Sequence, residues 1–133
     1  MNLIVKADVT FQGSKSSERC IALVDTGAAM TVVDKKFADS LGVEYTGRKR
    51  SLTSATGHRL EGKVAIFKEL RVEDEVLDYE KALVVEFNDK DRAALSKLGV
   101  SDSAIIGVVT LELANFIPDT TTGKLKKIET FLF

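Results

Sequence analysis

The first residues of the chain alternate between apolar and mostly polar side chains, from Leu3 to Phe11. A period of two is typical of a strand with one buried face. A second apolar run covers residues 19–24 and is short enough for a strand buried on both faces. It ends at Asp25-Thr26-Gly27, where the glycine permits a sharp turn. These residues therefore predict two strands followed by a turn.

A helix and a long hairpin are predicted next. Asp34 occupies the position of a helix N-cap, and apolar residues at helical spacing continue as far as Gly42. Extended runs over residues 48–53 and 58–72 then indicate two strands joined by a turn. The turn consists of four small residues: Ser54, Ala55, Thr56 and Gly57.

The rest of the chain continues this β-rich pattern. We expect further strands over residues 76–87 and 104–107, and a last hairpin that turns at Gly123. Short helices are expected over residues 89–98 and 110–115. The sequence therefore predicts one mainly β domain, residues 1–133, with two or three short helices.

Composition narrows the range of functions. The chain has 19 basic and 20 acidic side chains, so its net charge of -1 gives no electrostatic reason to expect a nucleic acid or an anionic membrane as partner. No apolar run reaches membrane-spanning length, and residues 1–11 lack the features of a signal peptide, so we expect a cytoplasmic protein. Cys20 and His58 are the only residues of their types, which excludes an intrachain disulfide and a four-ligand Cys/His zinc site. We predict no metal and no cofactor.

Several polar residues have simple structural explanations. Cys20 lies in an apolar run, which favours a small buried side chain over a reactive thiol. His58 follows the glycine of the predicted hairpin turn and is expected to be a solvated loop residue. Asp34 is expected to cap a helix and not to act as an acid catalyst. Asp25 could itself be a turn residue, so its context decides its interpretation.

The run Asp25-Thr26-Gly27-Ala28 is the strongest candidate for chemistry. The triplet Asp-Thr-Gly alone is weak, since it occurs by chance in about 3% of chains of this length. Here it follows an apolar strand and precedes a strand and a helix. About eighty residues later a second apolar strand ends in glycine, at Ile105-Ile106-Gly107, and the long hairpin lies between the two motifs.

This ordered set resembles the retropepsin family, the dimeric aspartic proteases of retroviruses and their cellular relatives. The resemblance covers residues 5–133. It implies a closed, barrel-like β-fold, a flap formed by the hairpin, and an active site on a two-fold axis with one carboxylate from each subunit. By resemblance, Asp25 is catalytic, Thr26 and Gly27 support the active site, and Gly107 is the glycine of a second loop. Substrate contacts are implied for Ala28, Ser54, Ala55, Thr56 and Gly57.

The chemistry of an aspartic dyad agrees with these residue types. One carboxylate activates water and one carboxylic acid protonates the scissile carbonyl, because two close carboxyls share a proton. Thr26 could hydrogen-bond across the dimer axis, and Ala28 is small enough to leave room for substrate. The chain contains a single Asp-Thr-Gly. The chain is therefore either a homodimer or not an aspartic protease of this kind.

The sequence departs from the viral pattern at two linked positions. Viral members carry an Asp–Arg pair where this chain has Ala29 and Val108, which fits an apolar substitute for the ion pair. The hairpin is also poorer in glycine, with Gly57 and Gly62 nearby. Residues 131–133 form an apolar C-terminus, which is consistent with the intersubunit sheet made by the chain ends of that family.

Three functions remain open at this point. The leading interpretation is a homodimeric endopeptidase that hydrolyses an extended peptide. The second is a non-catalytic peptide-binding or assembly module that retains the fold, because fold alone does not determine function. The third is an unrelated β-barrel in which the triplet occurs by chance.

Overall fold

The computed structural model of the chain describes residues 3–53 and 59–128. The elements follow in this order: β1 (Val5–Gln12), β2 (Ser17–Val24), β3 (Val32–Asp34), α1 (Lys35–Leu41), β4 (Glu44–Thr53), β5 (Arg59–Val72), β6 (Glu75–Val85), α2 (Asp89–Lys97), β7 (Ala104–Ile106), α3 (Val108–Leu113), β8 (Phe116–Asp119) and β9 (Lys124–Lys127). Within the described ranges, no helix has the length and apolar character needed to cross a membrane. The secondary structure is mainly β, as the alternating pattern predicts.

Six strands close into a barrel. Their order is β1-β2-β7-β3-β6-β5, and β5 also pairs with β1 to complete the ring. Strand β4 continues the sheet beyond β5 and lies outside the ring. Strands β8 and β9 form a separate hairpin. The expected fold, a closed barrel with short helices, is therefore confirmed.

Strand β1 is the strand at which the ring closes. Its odd-numbered residues from Val5 to Phe11 are buried, whereas the even-numbered ones are partly exposed. One edge of β1 is antiparallel to β2 over its whole length, and residues 9–12 on the other edge are antiparallel to β5. Closure therefore satisfies backbone groups on both edges while the apolar face stays inside.

Three phenylalanines form the centre of the main core. The ring of Phe11 lies edge-on to Phe37 at 5.3 Å and tilted against Phe67 at 4.9 Å, measured between ring centroids. Aromatic pairs at such distances stabilise a core beyond the area that they bury. Phe37 belongs to α1, which ends at Gly42 in the left-handed conformation. The helix therefore covers one side of the barrel, as its apolar spacing predicts.

Helix α2 covers a second, smaller apolar cluster. Leu95 of this helix packs there with buried residues of several strands and loops: Val32, Val64, Leu83, Phe87 and Val100. The helix begins at Asn88, whose side chain accepts a hydrogen bond from the backbone N–H of Asp91 while the Asp91 carboxylate accepts one from the backbone N–H of Asn88. This reciprocal cap stabilises the helix start, so α2 is a well-defined cover for the cluster.

Asp34 joins α2 to the barrel. It lies at the N-cap position of α1, but its side chain makes no capping hydrogen bond, so that part of the prediction was wrong. The carboxylate instead accepts hydrogen bonds from the backbone N–H of Phe87 at 3.0 Å and from Arg92 Nη2 at 3.1 Å. Partners more than fifty residues away in the chain outcompete the local cap.

Strand β2 is more exposed than its apolar sequence predicts. Ile21 is 44% exposed, and Arg19 on the same outer surface pairs with Asp8 of β1. The expected burial of both faces was therefore wrong, because β2 is part of a barrel wall with an outward face. Cys20 packs against the main core, and burial raises the pKa of its thiol, in agreement with a structural role.

Replacing Asp34 tests this link. The Asp34 side chain is 3% exposed, and the Asp34→Ala change removes the carboxylate that pairs with Arg92 and leaves the buried N–H of Phe87 without its partner. We expect the free energy of unfolding to fall by about 3 kcal/mol in chemical denaturation. The control is Lys35→Ala, which removes an exposed ion pair with Asp39 and should cost less than about 0.5 kcal/mol. Equal effects of the two changes would contradict the assigned role of Asp34.

Candidate active site

Asp25 lies in a tight turn directly after β2. Its backbone N–H donates to the carbonyl oxygen of Ile106 at 2.9 Å, which joins the end of β2 to the end of β7. The N–H of Ala28 donates to the Asp25 carbonyl at 3.1 Å and closes the turn. The N–H of Gly27 donates to Asp25 Oδ1 at 2.9 Å. One carboxylate oxygen is therefore held by the turn itself, and the residue as a whole is half-buried.

The start of α3 holds the other side of this turn. The N–H of Val108 donates to the carbonyl oxygen of Ala28 at 2.9 Å, and the N–H of Val109 donates to that of Ala29 at 3.1 Å. The first N–H groups of a helix have no partner inside the helix. Here the carbonyl groups of the Asp25 turn satisfy them. The turn and the helix therefore stabilise each other.

Gly107 allows the close approach of these two segments. A Cβ atom at this position would lie 2.3 Å from both the carbonyl carbon and the carbonyl oxygen of Met30. No side chain can be accommodated at that distance from rigid backbone. The predicted second-loop glycine is thus required by packing against the residues that follow the Asp25 turn.

Two buried threonines connect the segment that follows the Asp25 turn to α3. Thr31 Oγ1 and Thr110 Oγ1 lie 2.7 Å apart, and the N–H of Gly107 donates to Thr31 Oγ1 at 3.1 Å. Both threonines are at most 2% exposed. Buried hydroxyls and N–H groups need such partners, because leaving them unpaired is costly. This network therefore fixes the position of β7 and α3 relative to the Asp25 turn.

The structure brings some predicted site residues together and leaves others undescribed. Thr26 and Gly27 are exposed at the tip of the turn, and Ala28 is partly exposed beside it. The predicted flap is the hairpin of β4 and β5, whose Leu52 packs against the second apolar cluster. Its predicted tip lies outside the described residues: Ser54, Ala55, Thr56 and Gly57. The C-terminal residues 131–133 lie outside them as well.

The expected apolar substitute for the viral Asp–Arg pair is not found at Ala29 and Val108, so that prediction was wrong. Ala29 is exposed and Val108 is partly exposed, so burial of their side chains is not the main contact between the Asp25 turn and α3. That contact consists of the two hydrogen bonds that the N–H groups of Val108 and Val109 donate to the turn. Such bonds between neutral groups avoid the desolvation cost of a buried ion pair.

A cleft of about 490 Å³, here called the side cleft, lies beside this region. Met30 and Thr31 form its wall on the side of the Asp25 loop, and Val109, Thr110 and Leu113 come from α3. The remaining lining residues come from the β4–β5 hairpin and from β6: Thr46, Arg48, Arg50, Val64, Tyr79, Glu80 and Lys81. Burial raises the pKa of the Glu80 carboxyl, an effect that the N–H of Lys81 partly offsets by donating to Glu80 Oε1.

Sequence reasoning missed the threonine pair and the side cleft. Thr31 and Thr110 each interrupt an apolar run, and a polar residue inside such a run is the one signal that could have indicated a buried hydrogen bond. The short basic run that contains Arg48 and Arg50 by itself indicates a solvated face. The position of these arginines in a cleft depends on the pairing of β4 with β5 and could not be inferred from the run.

The closed barrel and the supported Asp-Thr-Gly turn define a protein of the aspartic protease class. A sequence model of the aspartyl protease family matches residues 7–109, more than three quarters of the chain. The chain belongs to the aspartyl protease family. The matched region begins in β1 and ends in α3, so it contains the Asp25 turn, the hairpin and Gly107. Among curated proteins, no sequence matches this chain.

The threonine pair gives a test with an internal comparison. Thr31→Val leaves both the Gly107 N–H and the Thr110 hydroxyl without this partner, whereas Thr110→Val leaves the bond from Gly107 intact. We expect a loss of about 2–4 kcal/mol for Thr31→Val and about 1–2 kcal/mol for Thr110→Val, measured by chemical denaturation. The double variant should lose less than the sum, because the two groups share one bond. Additive losses would show that the pair is not coupled.

Proposed function

We propose that this protein is a homodimeric aspartic endopeptidase in which Asp25 of each subunit contributes one carboxyl group to the catalytic pair. The observation that carries the proposal is the Asp25 turn, in which Gly27 holds one carboxylate oxygen and the tip formed by Thr26 and Gly27 is exposed. An exposed tip on a firmly supported turn is suited to meet its copy across a two-fold axis. Membership of the aspartyl protease family supports the same chemistry.

The single motif is the reason for proposing a dimer. The chain has one Asp-Thr-Gly, and an aspartic protease needs two carboxyl groups close together. A two-fold axis between the Asp25 turns supplies the second group without a second motif. Thr26, at the exposed tip, is then the residue that could hydrogen-bond across the axis and hold both turns in register.

In the proposed reaction the two carboxyls share one proton. The ionised Asp25 accepts a proton from water as the water oxygen bonds to the scissile carbonyl carbon. The protonated Asp25 of the other subunit donates its proton to the carbonyl oxygen, which forms a tetrahedral diol. The newly protonated Asp25 then donates its proton to the peptide nitrogen while the other, now ionised, Asp25 accepts a proton from a diol hydroxyl. The carbon–nitrogen bond breaks, and a carboxylic acid and an amine are released. We therefore expect activity to require one protonated and one ionised carboxyl group in the proposed pair.

The proposed substrate is an extended peptide that lies between the barrel floor and the β4–β5 hairpin. Extended peptides are commonly held by main-chain hydrogen bonds, while pockets select alternate side chains. Ala28 is partly exposed next to Asp25, so it is suited to form part of the floor. By resemblance to the family, residues 54–57, which lie outside the described residues, are proposed to contact the substrate.

The Asp25→Asn change tests the catalytic assignment. We expect peptide cleavage to fall by a factor of about 1,000 or more, because the amide cannot accept a proton from water. The fold should be retained, because the side-chain oxygen of the introduced asparagine can still accept from Gly27. The matched control is Asp78→Asn, an exposed carboxylate on β6, which should cleave at the normal rate. Unchanged cleavage by the Asp25→Asn variant would exclude Asp25 as catalyst.

Mixing the two proteins tests the dimer. Excess Asp25→Asn protein should suppress the activity of the unmodified protein, because exchanged dimers contain a single Asp25. Specific activity should also fall on dilution, since dissociation separates the carboxyls. Activity that is independent of both mixing and concentration would contradict the shared site. A dimer that binds peptide without cleaving it would instead favour a non-catalytic peptide-binding module.

A further inference from the structure

The side cleft contains basic side chains whose charges are not neutralised within the described chain. Across residues 3–53 and 59–128, no carboxylate lies within 4.0 Å of the charged groups of Arg48, Arg50 or Lys81. By contrast, Arg59 of the same hairpin pairs with Glu61. The arginines of the cleft are therefore available for an external anion.

The backbone places one of these arginines in the cleft through a β-bulge. The pairing of β4 with β5 shifts between Tyr45 and Lys49, and Gly47 within the shift has a φ of 86°. The N–H of Arg48 donates to Thr46 Oγ1, whose hydroxyl donates to the Val64 carbonyl, so the bulge is tied to β5. Bulges redirect side chains and are frequent beside functional sites. The bulge therefore orients Arg48 on a supported segment.

The apolar part of the cleft is open to solvent. Tyr79 is 71% exposed, and Leu113 and Val109 of α3 are 57% and 46% exposed. Tyr79 also has a φ of 53°, a backbone conformation that is unfavourable for a residue with a Cβ atom. Backbone outliers of this kind are enriched at binding and active sites. Tyrosine and arginine together are also the residue types enriched where proteins bind partners.

The charge balance of the cleft favours an anionic group. Its lining has three cationic residues, Arg48, Arg50 and Lys81, and one anionic residue, Glu80. Burial raises the pKa of Glu80, which reduces its negative charge under acidic conditions. Arginine presents a planar fork of donors that matches a carboxylate group. The cleft thus combines an apolar floor with donors for one carboxylate.

We propose that the side cleft is a specificity site that binds an aspartate or glutamate side chain of the peptide substrate through Arg48 and Arg50. This inference rests on the proposed peptidase function. Met30, which lines the cleft, follows Asp25 by five residues, and five residues span at most about 18 Å. An extended peptide has a similar rise per residue. The Met30 wall of the side cleft therefore lies within reach of about five substrate residues from the scissile bond.

Binding to a protein that does not cleave gives the first test. The probes are fluorescein-labelled decapeptides of small and apolar residues with one glutamate, moved one position at a time, and matched peptides with glutamine there. Fluorescence anisotropy with the Asp25→Asn variant should show at least about fivefold tighter binding of the glutamate peptide at one or two positions. The preference should weaken as salt is added, because exposed charges are screened.

Three further variants test whether the cleft causes the preference. In the Asp25→Asn background, Arg48→Gln with Arg50→Gln should reduce the ratio of glutamine to glutamate dissociation constants to about one. The matched control is Lys49→Gln, which removes a charge from the same strand but lies outside the side cleft. It should leave the ratio unchanged. Arg50→Glu should reverse the preference toward a peptide with lysine at that position.

The outcomes separate this inference from the proposed function. Equal binding of glutamate and glutamine peptides, or a preference that survives loss of both arginines, would overturn the acidic specificity site whether or not the protein cleaves peptides. An arginine-dependent preference in a protein that cleaves nothing would support the site while rejecting the peptidase. In an active enzyme, kcat/KM should favour the glutamate peptide at the same positions, and Arg48→Gln with Arg50→Gln should remove that advantage.

Discussion

The hydrogen bonds between the Asp25 turn and the start of α3 are the contacts on which the candidate site depends. The turn offers carbonyl groups that would otherwise need water, and the helix offers N–H groups that have no partner within the helix. Each segment satisfies the other, and Gly107 lets them approach closely. The arrangement uses neutral groups, so it avoids the desolvation cost of an ion pair at this position. In the proposed dimer, an Asp25 carboxyl group that meets its copy at a defined distance would need a well-ordered support of this kind.

The barrel and the β4–β5 hairpin contribute differently to the candidate site. The ring of six strands positions the ends of β2 and β7, from which the Asp25 turn and α3 start. Strand β4 lies outside the ring, and its residues are mostly exposed, so its side chains contribute little to the core. They are correspondingly available for recognition. The residue that we propose as catalyst therefore lies at the end of a barrel strand, and the residues that we propose for specificity lie on the hairpin.

Helix α2 contributes to the packing near the candidate site. It covers the cluster that contains Val32 and that contacts Leu23 and Ile105, the residues paired where β2 meets β7. Its attachment depends on Asp34, a buried carboxylate whose partners are Arg92 and a backbone N–H. A charged anchor of this kind specifies one orientation for the helix, because an alternative packing would leave the charge unpaired. The packing of the second apolar cluster thus depends in part on the contacts of Asp34.

Local pattern was sufficient for much of the fold. The alternation in β1, the apolar spacing before Gly42 and the Asp25-Thr26-Gly27 run each concern neighbours in the chain, and they correctly indicated a strand, a helix and the turn after β2. The resemblance of the ordered motifs indicated the closed barrel. Tertiary structure alone decided that Thr31 forms a hydrogen bond with Thr110, 79 residues away. It also decided that the Asp34 side chain binds Arg92 and does not cap α1. The position of Arg48 and Arg50 in a cleft was decided in the same way. The physical reason is that a polar side chain binds whichever partner the packed chain brings within reach. Periodicity determines only which face of an element is buried.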